Sequence, residues 1–275
     1  MISLKSITSS LAALLLACFV ATPSQSQAQD WALKRLESSP RHLEFVEIEA
    51  GKRKVNSFIA FPEVKEKAPV VIVIHEIFGL SDWVRGVTDQ LAERGVIAIA
   101  PDLLSGTAPN GGGTSALGGG DGVRKAISSL PPDQITADLK AVVEYAKKLP
   151  ASNGKVVVIG FCWGGGQTFR FATNTADIEA FGAFYGTGPT EAADLAKITA
   201  PVHGFYGEND ARVNATIAGS TAAMKAAGKT YEPVIYKGAG HGFMRAGEAP
   251  DANEANKQAR ADAWKRLEAI LAPLK

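Results

Sequence analysis

The stretch Lys155-Val156-Val157-Val158-Ile159-Gly160-Phe161-Cys162-Trp163-Gly164-Gly165-Gly166 constrains the fold more than any other part of the chain. Val156 to Ile159 are β-branched and apolar without interruption, the pattern of a strand buried on both faces of a parallel sheet. Glycine-x-cysteine-x-glycine follows, and then a segment, Gln167 to Thr173, whose spacing suits a helix. A strand that turns sharply into a helix through such a tripeptide presents its central side chain at the tip of a strained bend, the nucleophile elbow. Gly160 and Gly164 permit the close backbone approach that this bend needs. The central residue is Cys162, and the N-terminal N–H groups of the following helix favour a thiolate there and an oxyanion beside it. The alternative is a packed core thiol that does no chemistry.

Residues 1–28 read as a signal peptide. Leu11 to Val20 is an apolar run of signal-core length, too short to span a bilayer, and Ser26-Gln27-Ala28 puts small residues where a signal peptidase reads. Cleavage before Gln29 leaves residues 29–275 as one exported domain, periplasmic or secreted. Leu15-Leu16-Ala17-Cys18 resembles a lipobox, but the apolar run continues through Phe19 and Val20, which argues against a lipoprotein. No second long apolar stretch predicts a membrane span. Of the two cysteines, Cys18 leaves with the signal, so Cys162 stands alone, unpaired and open to oxidation. A net charge of +1 without a basic, aromatic-laced patch excludes nucleic acid as a natural partner. The histidines are scattered without ligand spacing, so no metal and no cofactor are expected.

Taken in order, Leu43–Ile48 and Val55–Phe61 read as an edge hairpin after a polar lead-in over residues 29–42. Val70–Ile74 and Val96–Ala100 are buried strands around a helix over 82–94 that Ser81 caps and Gly95 stops. Ser105–Gly122 is glycine-rich and without periodicity: a surface excursion, or a flap leaving a strand's carboxyl end where active sites sit. Asp133–Leu149 has an amphipathic face of Ile135, Leu139, Val142, Val143 and Ala146. Strands at 181–185, 201–206 and 231–236, a helical stretch at 213–227 and a terminal helix at 255–271 complete the chain. The alternation predicts an α/β fold, one doubly wound and mostly parallel sheet flanked by helices, with 46% hydrophobic residues to fill its core.

A thiol nucleophile needs a base, and the base an orienting acceptor. Downstream of Cys162 there are two histidines. His203 falls inside a strand, whereas His241 sits in Gly238-Ala239-Gly240-His241-Gly242, from which its ring can reach the elbow. Asp210 follows a strand end, the position from which a carboxylate fixes an imidazole tautomer; Glu208, Asp177 and Asp194 are rivals. Glu76 ends another buried strand with no cation in its own loop, so burial would raise its pKa and let it share a hydrogen bond with the thiol. His75 beside it reads as structural. The backbone N–H groups of Trp163 and Ile77 occupy the positions from which an elbow fold builds its oxyanion hole.

Gly-Phe-Cys162-Trp-Gly-Gly, His75-Glu76-Ile77-Phe78-Gly79, Pro101-Asp102-Leu103 and Gly240-His241-Gly242-Phe243, in this order, resemble the dienelactone hydrolase family of α/β-hydrolases over roughly residues 43–272. The resemblance implies a Cys162-Asp210-His241 triad, an ester or lactone as small-molecule substrate, and a Glu76 that keeps the thiol protonated until substrate displaces it; a monomer is a separate expectation. It also implies that Arg245 binds a substrate carboxylate, while the family's second arginine is replaced by Ser105-Gly106. Two other classes remain open: a ligand-binding protein that keeps the fold without catalysis, and a thiol redox sensor, which would lack a resolving cysteine.

Overall fold

The β-branched runs form the middle of an eight-stranded sheet in the computed structural model, which describes residues 30–189 and 192–275. The strands are β1 (Leu43–Ala50), β2 (Arg53–Ala60), β3 (Ala68–Ile74), β4 (Ile97–Pro101), β5 (Ser152–Phe161), β6 (Ala180–Phe184), β7 (Val202–Asn209) and β8 (Tyr231–Gly240). Their order across the sheet is β1-β2-β4-β3-β5-β6-β7-β8. β1 and β2 form the antiparallel edge hairpin, β2 pairs antiparallel with β4, and β4 to β8 run parallel. Alternation along a strand sends Ile72 and Val158 into one apolar layer and Val71, Val73, Val157 and Ile159 into the other. Both faces are covered, which is why these strands carry apolar residues at every position instead of every second one.

Helices Pro132–Lys148 and Trp163–Ala172 contribute Leu139 and Phe169 to the first layer; Asp82–Glu93 and Glu254–Leu271 contribute Trp83 and Trp264 to the second. Ser81 caps Asp82–Glu93 by accepting from Val84 N–H, and Gly95 follows at φ +80°. Among the described residues no helix is long and apolar enough to cross a membrane. The signal-peptide segment, residues 1–28, lies outside the described residues.

Three expectations are corrected. The elbow helix begins at Trp163, directly after the bend, and not at Gln167. The helical stretch at 213–227 is two helices, Ala211–Asn214 and Ile217–Ala226. The polar lead-in contains a helix, Asp30–Glu37, which packs Ala32 against the rest of the protein and leaves it 1% exposed. A buried carboxylate, Asp89, on the neighbouring helix anchors it, and Arg35 also pairs with Glu93 at 2.9 Å. Asp89 accepts from Arg41 at 2.7 and 2.9 Å and from Ser39 at 2.6 Å, and pairs with Arg35 at 3.0 Å. A local signal for this helix is present but short: Trp31, Ala32, Arg35 and Leu36 recur at helical spacing on the inward face, with Asp30 in the first turn and Lys34 and Arg35 in the last.

Burial of Asp89 favours the neutral acid, but Arg41, Ser39 and Arg35 outweigh it and hold its pKa below the usual carboxylate range. A depressed pKa stabilises the fold fully above the unfolded carboxylate's pKa, and the contribution is lost as pH falls through the folded value. Asp89→Ala is therefore expected to destabilise the protein by about 2–3 kcal/mol near neutral pH. In chemical denaturation that difference from wild type should shrink in strong acid; a difference that stays constant with pH contradicts the assignment.

Candidate active site

The carboxyl ends of β3, β5, β7 and β8 converge, and each delivers one candidate group. Cys162 follows β5 with φ 56° and ψ −116°, a positive-φ conformation that L-residues avoid. The bend closes because a Cβ on Gly160 would overlap the Gly164 carbonyl, and one on Gly164 would overlap the carbonyls of Ile74 and His75. The backbone is locked on both sides: Cys162 N–H donates to Phe184 O at 3.0 Å, and Gly166 N–H donates to Cys162 O at 3.2 Å. Trp163 opens the helix, so its N–H is among those that the helix itself leaves without an acceptor.

His241, one residue beyond β8, places Nε2 3.2 Å from Cys162 Sγ, and its Nδ1 donates to Asp210 Oδ2 at 2.5 Å. Asp210 is 6% exposed and sits one residue past β7. The rival carboxylates are engaged elsewhere: Glu208 accepts from Gly238 N–H, Asp194 pairs with Lys197, and Asp177 occupies a positive-φ turn. His203 lies within β7 and pairs with Glu232 at 3.0 Å. The hydrogen bond to Cys162 raises the pKa of His241 to about 9; burial opposes this, and Asp210 adds to it. An imidazolium facing the sulfur and backed by a carboxylate is the charge arrangement that a reactive thiolate needs.

Glu76 is 2% exposed, and its Oε2 accepts from Arg245 Nε at 2.9 Å. No cation lies in the loop of Glu76 itself, as expected, but one reaches it from the short helix Phe243–Ala246 that follows His241. Burial still pushes the Glu76 carboxyl up, offset in part by Arg245. Burial works against the Arg245 charge, but Glu76 outweighs it and holds Arg245 above its ordinary value. Arg245 also lies 5.2 Å from the centre of the Phe78 ring. The structure adds Tyr185, which sequence reasoning missed. It is fully buried after β6 at φ +39°, packs edge-on against His241 at 5.2 Å, and is kept protonated by burial and by Glu76. The one available signal was its place at the same end of the sheet as the other groups.

His75 is fully buried and stacks on Trp163 at 5.5 Å; burial lowers its pKa and keeps the ring neutral. Its Nδ1 donates to Glu76 O at 2.9 Å, a structural contact. Ile77, the other oxyanion candidate, follows Glu76 in the turn closed by Gly79 N–H donating to Glu76 O at 3.1 Å. A cavity of about 830 Å³ opens beside this site, bounded by Arg245, Phe78 and Asp102 and by Thr114, Ser115 and Gly119 of the glycine-rich stretch. That stretch is pinned, since Thr114 donates to Asp102 through its N–H and its hydroxyl, both at 2.7 Å. Among the described residues no group of acidic, histidine or cysteine side chains could hold a metal ion.

A mostly parallel, eight-stranded sheet flanked by helices, with a strained strand-to-helix elbow at its carboxyl edge, defines an α/β-hydrolase. The chain belongs to the dienelactone hydrolase family, whose profile matches residues 55–274. A Methylorubrum extorquens relative, inferred to be a carboxymethylenebutenolidase, is 33% identical over 225 residues, covering 78% of this chain and 75% of its own. A Salmonella typhimurium relative with the same inferred activity is 31% identical, covering 77% and 80%. Among solved structures, a Klebsiella pneumoniae protein assigned as a dienelactone hydrolase superposes with a TM-score of 0.73 at 28% identity, covering 84% of this chain and 98% of its own. The protein is an ester or lactone hydrolase.

If Cys162 dominates the His241 titration, Cys162→Ala lowers the ring's pKa from about 9 toward an unperturbed histidine's. In sign, a raised folded pKa adds stability below the unfolded histidine's pKa, lost as pH rises through about 9. Imidazole resonances followed by NMR check this, and a pKa unchanged in the variant contradicts it.

Proposed function

We propose that the protein is an exported hydrolase that opens an ester or lactone through a thioester on Cys162. The observation that carries this reading is the relay from Asp210 through His241 to Cys162, with 2.5 and 3.2 Å between the successive atoms. The Cys162 thiolate attacks the substrate carbonyl carbon, a C–S bond forms, and the carbonyl electrons move onto an oxygen facing the N–H groups of Trp163 and Ile77. Collapse of that oxyanion breaks the C–O bond, and His241 gives its Nε2 proton to the departing alkoxide. In a lactone the freed alcohol stays tethered to the acyl group. His241, now neutral, takes a proton from water, whose oxygen attacks the thioester and releases the carboxylic acid and the thiolate. Asp210 holds the Nδ1–H side throughout.

Glu76 and Arg245 supply the link to substrate. In the resting site they satisfy each other. A substrate carboxylate competes for the same guanidinium and releases Glu76 from it, so that binding alters the charge beside the Cys162–His241 pair. Export rests on the apolar run and the small residues before Gln29. After export the catalytic domain acts as one unit and as a monomer.

Cys162→Ala is expected to lower kcat/KM for an activated ester by about a thousandfold or more, and undiminished turnover ends the proposal. Arg245→Ala should raise KM for carboxylate-bearing lactones about tenfold while changing that for neutral esters little. Steady-state kinetics on both substrate types decides this, and equal effects on the two remove Arg245 from carboxylate recognition.

A further inference from the structure

The 830 Å³ cavity is walled in part by residues that precede the family-matched region. Trp31, from helix Asp30–Glu37, and Phe45, from β1, line it together with Phe78 and Leu80. Phe45 is 51% exposed, the one aromatic among the large apolar side chains left open to solvent in the described residues. Phe78 lies under Arg245, so the aromatic wall begins where the site described above ends. The Asp89 clasp, through Arg35, Arg41 and Ser39, holds the helix that carries Trp31 against the body of the protein.

Among the described residues five charged side chains line this cavity, and four already have partners. Arg245 pairs with Glu76, Arg85 with Asp82, and Asp102 accepts from Thr114. Arg85 is also stacked over the rings of Phe45 and Phe58. The fifth, Asp251, is an anion and disfavours another. Among the described lining residues an anionic group placed beyond Arg245 would meet no unpaired cation. A flat apolar group would find aromatic faces and edges, the contacts that ring–ring pairing rewards.

We propose that Trp31 and Phe45 are specificity-determining residues forming a subsite for a bulky, uncharged aryl or aryl-alkyl group on the ester or lactone. This deepens the hydrolase reading and rests on it. The substrate class is an ester or lactone whose reacting carbonyl lies at Cys162 and whose apolar extension runs past Arg245 and Phe78 toward the N-terminal helix. The family-matched region supplies the chemistry, and the preceding residues supply the selectivity.

Two substrate series test the subsite on the full mature chain: p-nitrophenyl acetate against p-nitrophenyl 4-phenylbutanoate, and methyl acetate against 2-phenylethyl acetate. The kcat/KM ratio of bulky to small substrate should fall about tenfold in Trp31→Ala and in Phe45→Ala in at least one series, the scale of losing a few buried methylene equivalents. Trp31→Phe should restore most of the ratio, which a merely structural defect in the helix would not do selectively. A ratio unchanged in both series, or equal losses on small and bulky substrates, overturns the subsite. A second measurement removes catalysis from the question: calorimetric binding of unreactive 4-phenylbutanamide to Cys162→Ala and to Cys162→Ala/Trp31→Ala. About tenfold weaker binding to the double variant supports the subsite, and equal binding overturns it. Because this readout needs no turnover, loss of the subsite and loss of the Cys162 mechanism give separate results.

Discussion

The bend at Cys162 is the constraint on which the rest of the site depends. A side chain at φ 56° is held in a conformation that costs about 1–3 kcal/mol, so the neighbouring structure must over-determine it. Two backbone hydrogen bonds and two glycines that admit no side chain do so. The sheet supplies the leverage, because β5 is sealed on both faces and flanked by parallel strands that cannot slide without exposing an entire apolar row. The sulfur is consequently fixed before any substrate arrives, and the imidazole at the end of β8 needs only to meet it.

The electrostatics around that sulfur come from two neighbouring, partly buried systems that also act on each other. One is the Asp210–His241–Cys162 relay, in which the hydrogen bond to the sulfur and the carboxylate behind it keep the ring charged to a higher pH than an ordinary histidine. The other is Glu76 with Arg245, next to the buried and protonated Tyr185. Burial raises the Glu76 pKa, and the guanidinium opposes that rise in part. Drawing Arg245 away would raise the Glu76 pKa further, because burial would then act unopposed by the guanidinium.

Much of this was legible in the sequence because it depends on local pattern. Val156–Ile159 could only be a sealed strand, and the glycines around Cys162 marked the bend. His241 and Asp210 were legible as residues just beyond strand ends on one edge of a parallel sheet. What escaped were pairings over long sequence distances. Nothing near Glu76 announces Arg245, 169 residues later. The helix after Gln29 had a short local signal in Trp31, Ala32 and Leu36, but its contact with Asp89 lies far away in sequence. Tyr185 escaped because an aromatic at the end of a buried strand reads as core, and only the convergence of β3, β6 and β8 gives it neighbours that titrate. The glycine-rich stretch lacks periodicity but is fastened by Thr114 to Asp102, a contact that composition does not encode.

The central claim is that the half-buried sulfur of Cys162, set against an imidazolium, forms the covalent intermediate. Intact-mass spectrometry during turnover of a slowly deacylated activated ester tests it most directly. The account predicts one acyl group per chain, mapped to Cys162 by peptide analysis, that disappears over time as free acid accumulates. Acylation at another residue, or turnover with no adduct under conditions where release of the first product outpaces release of the acid, would contradict it.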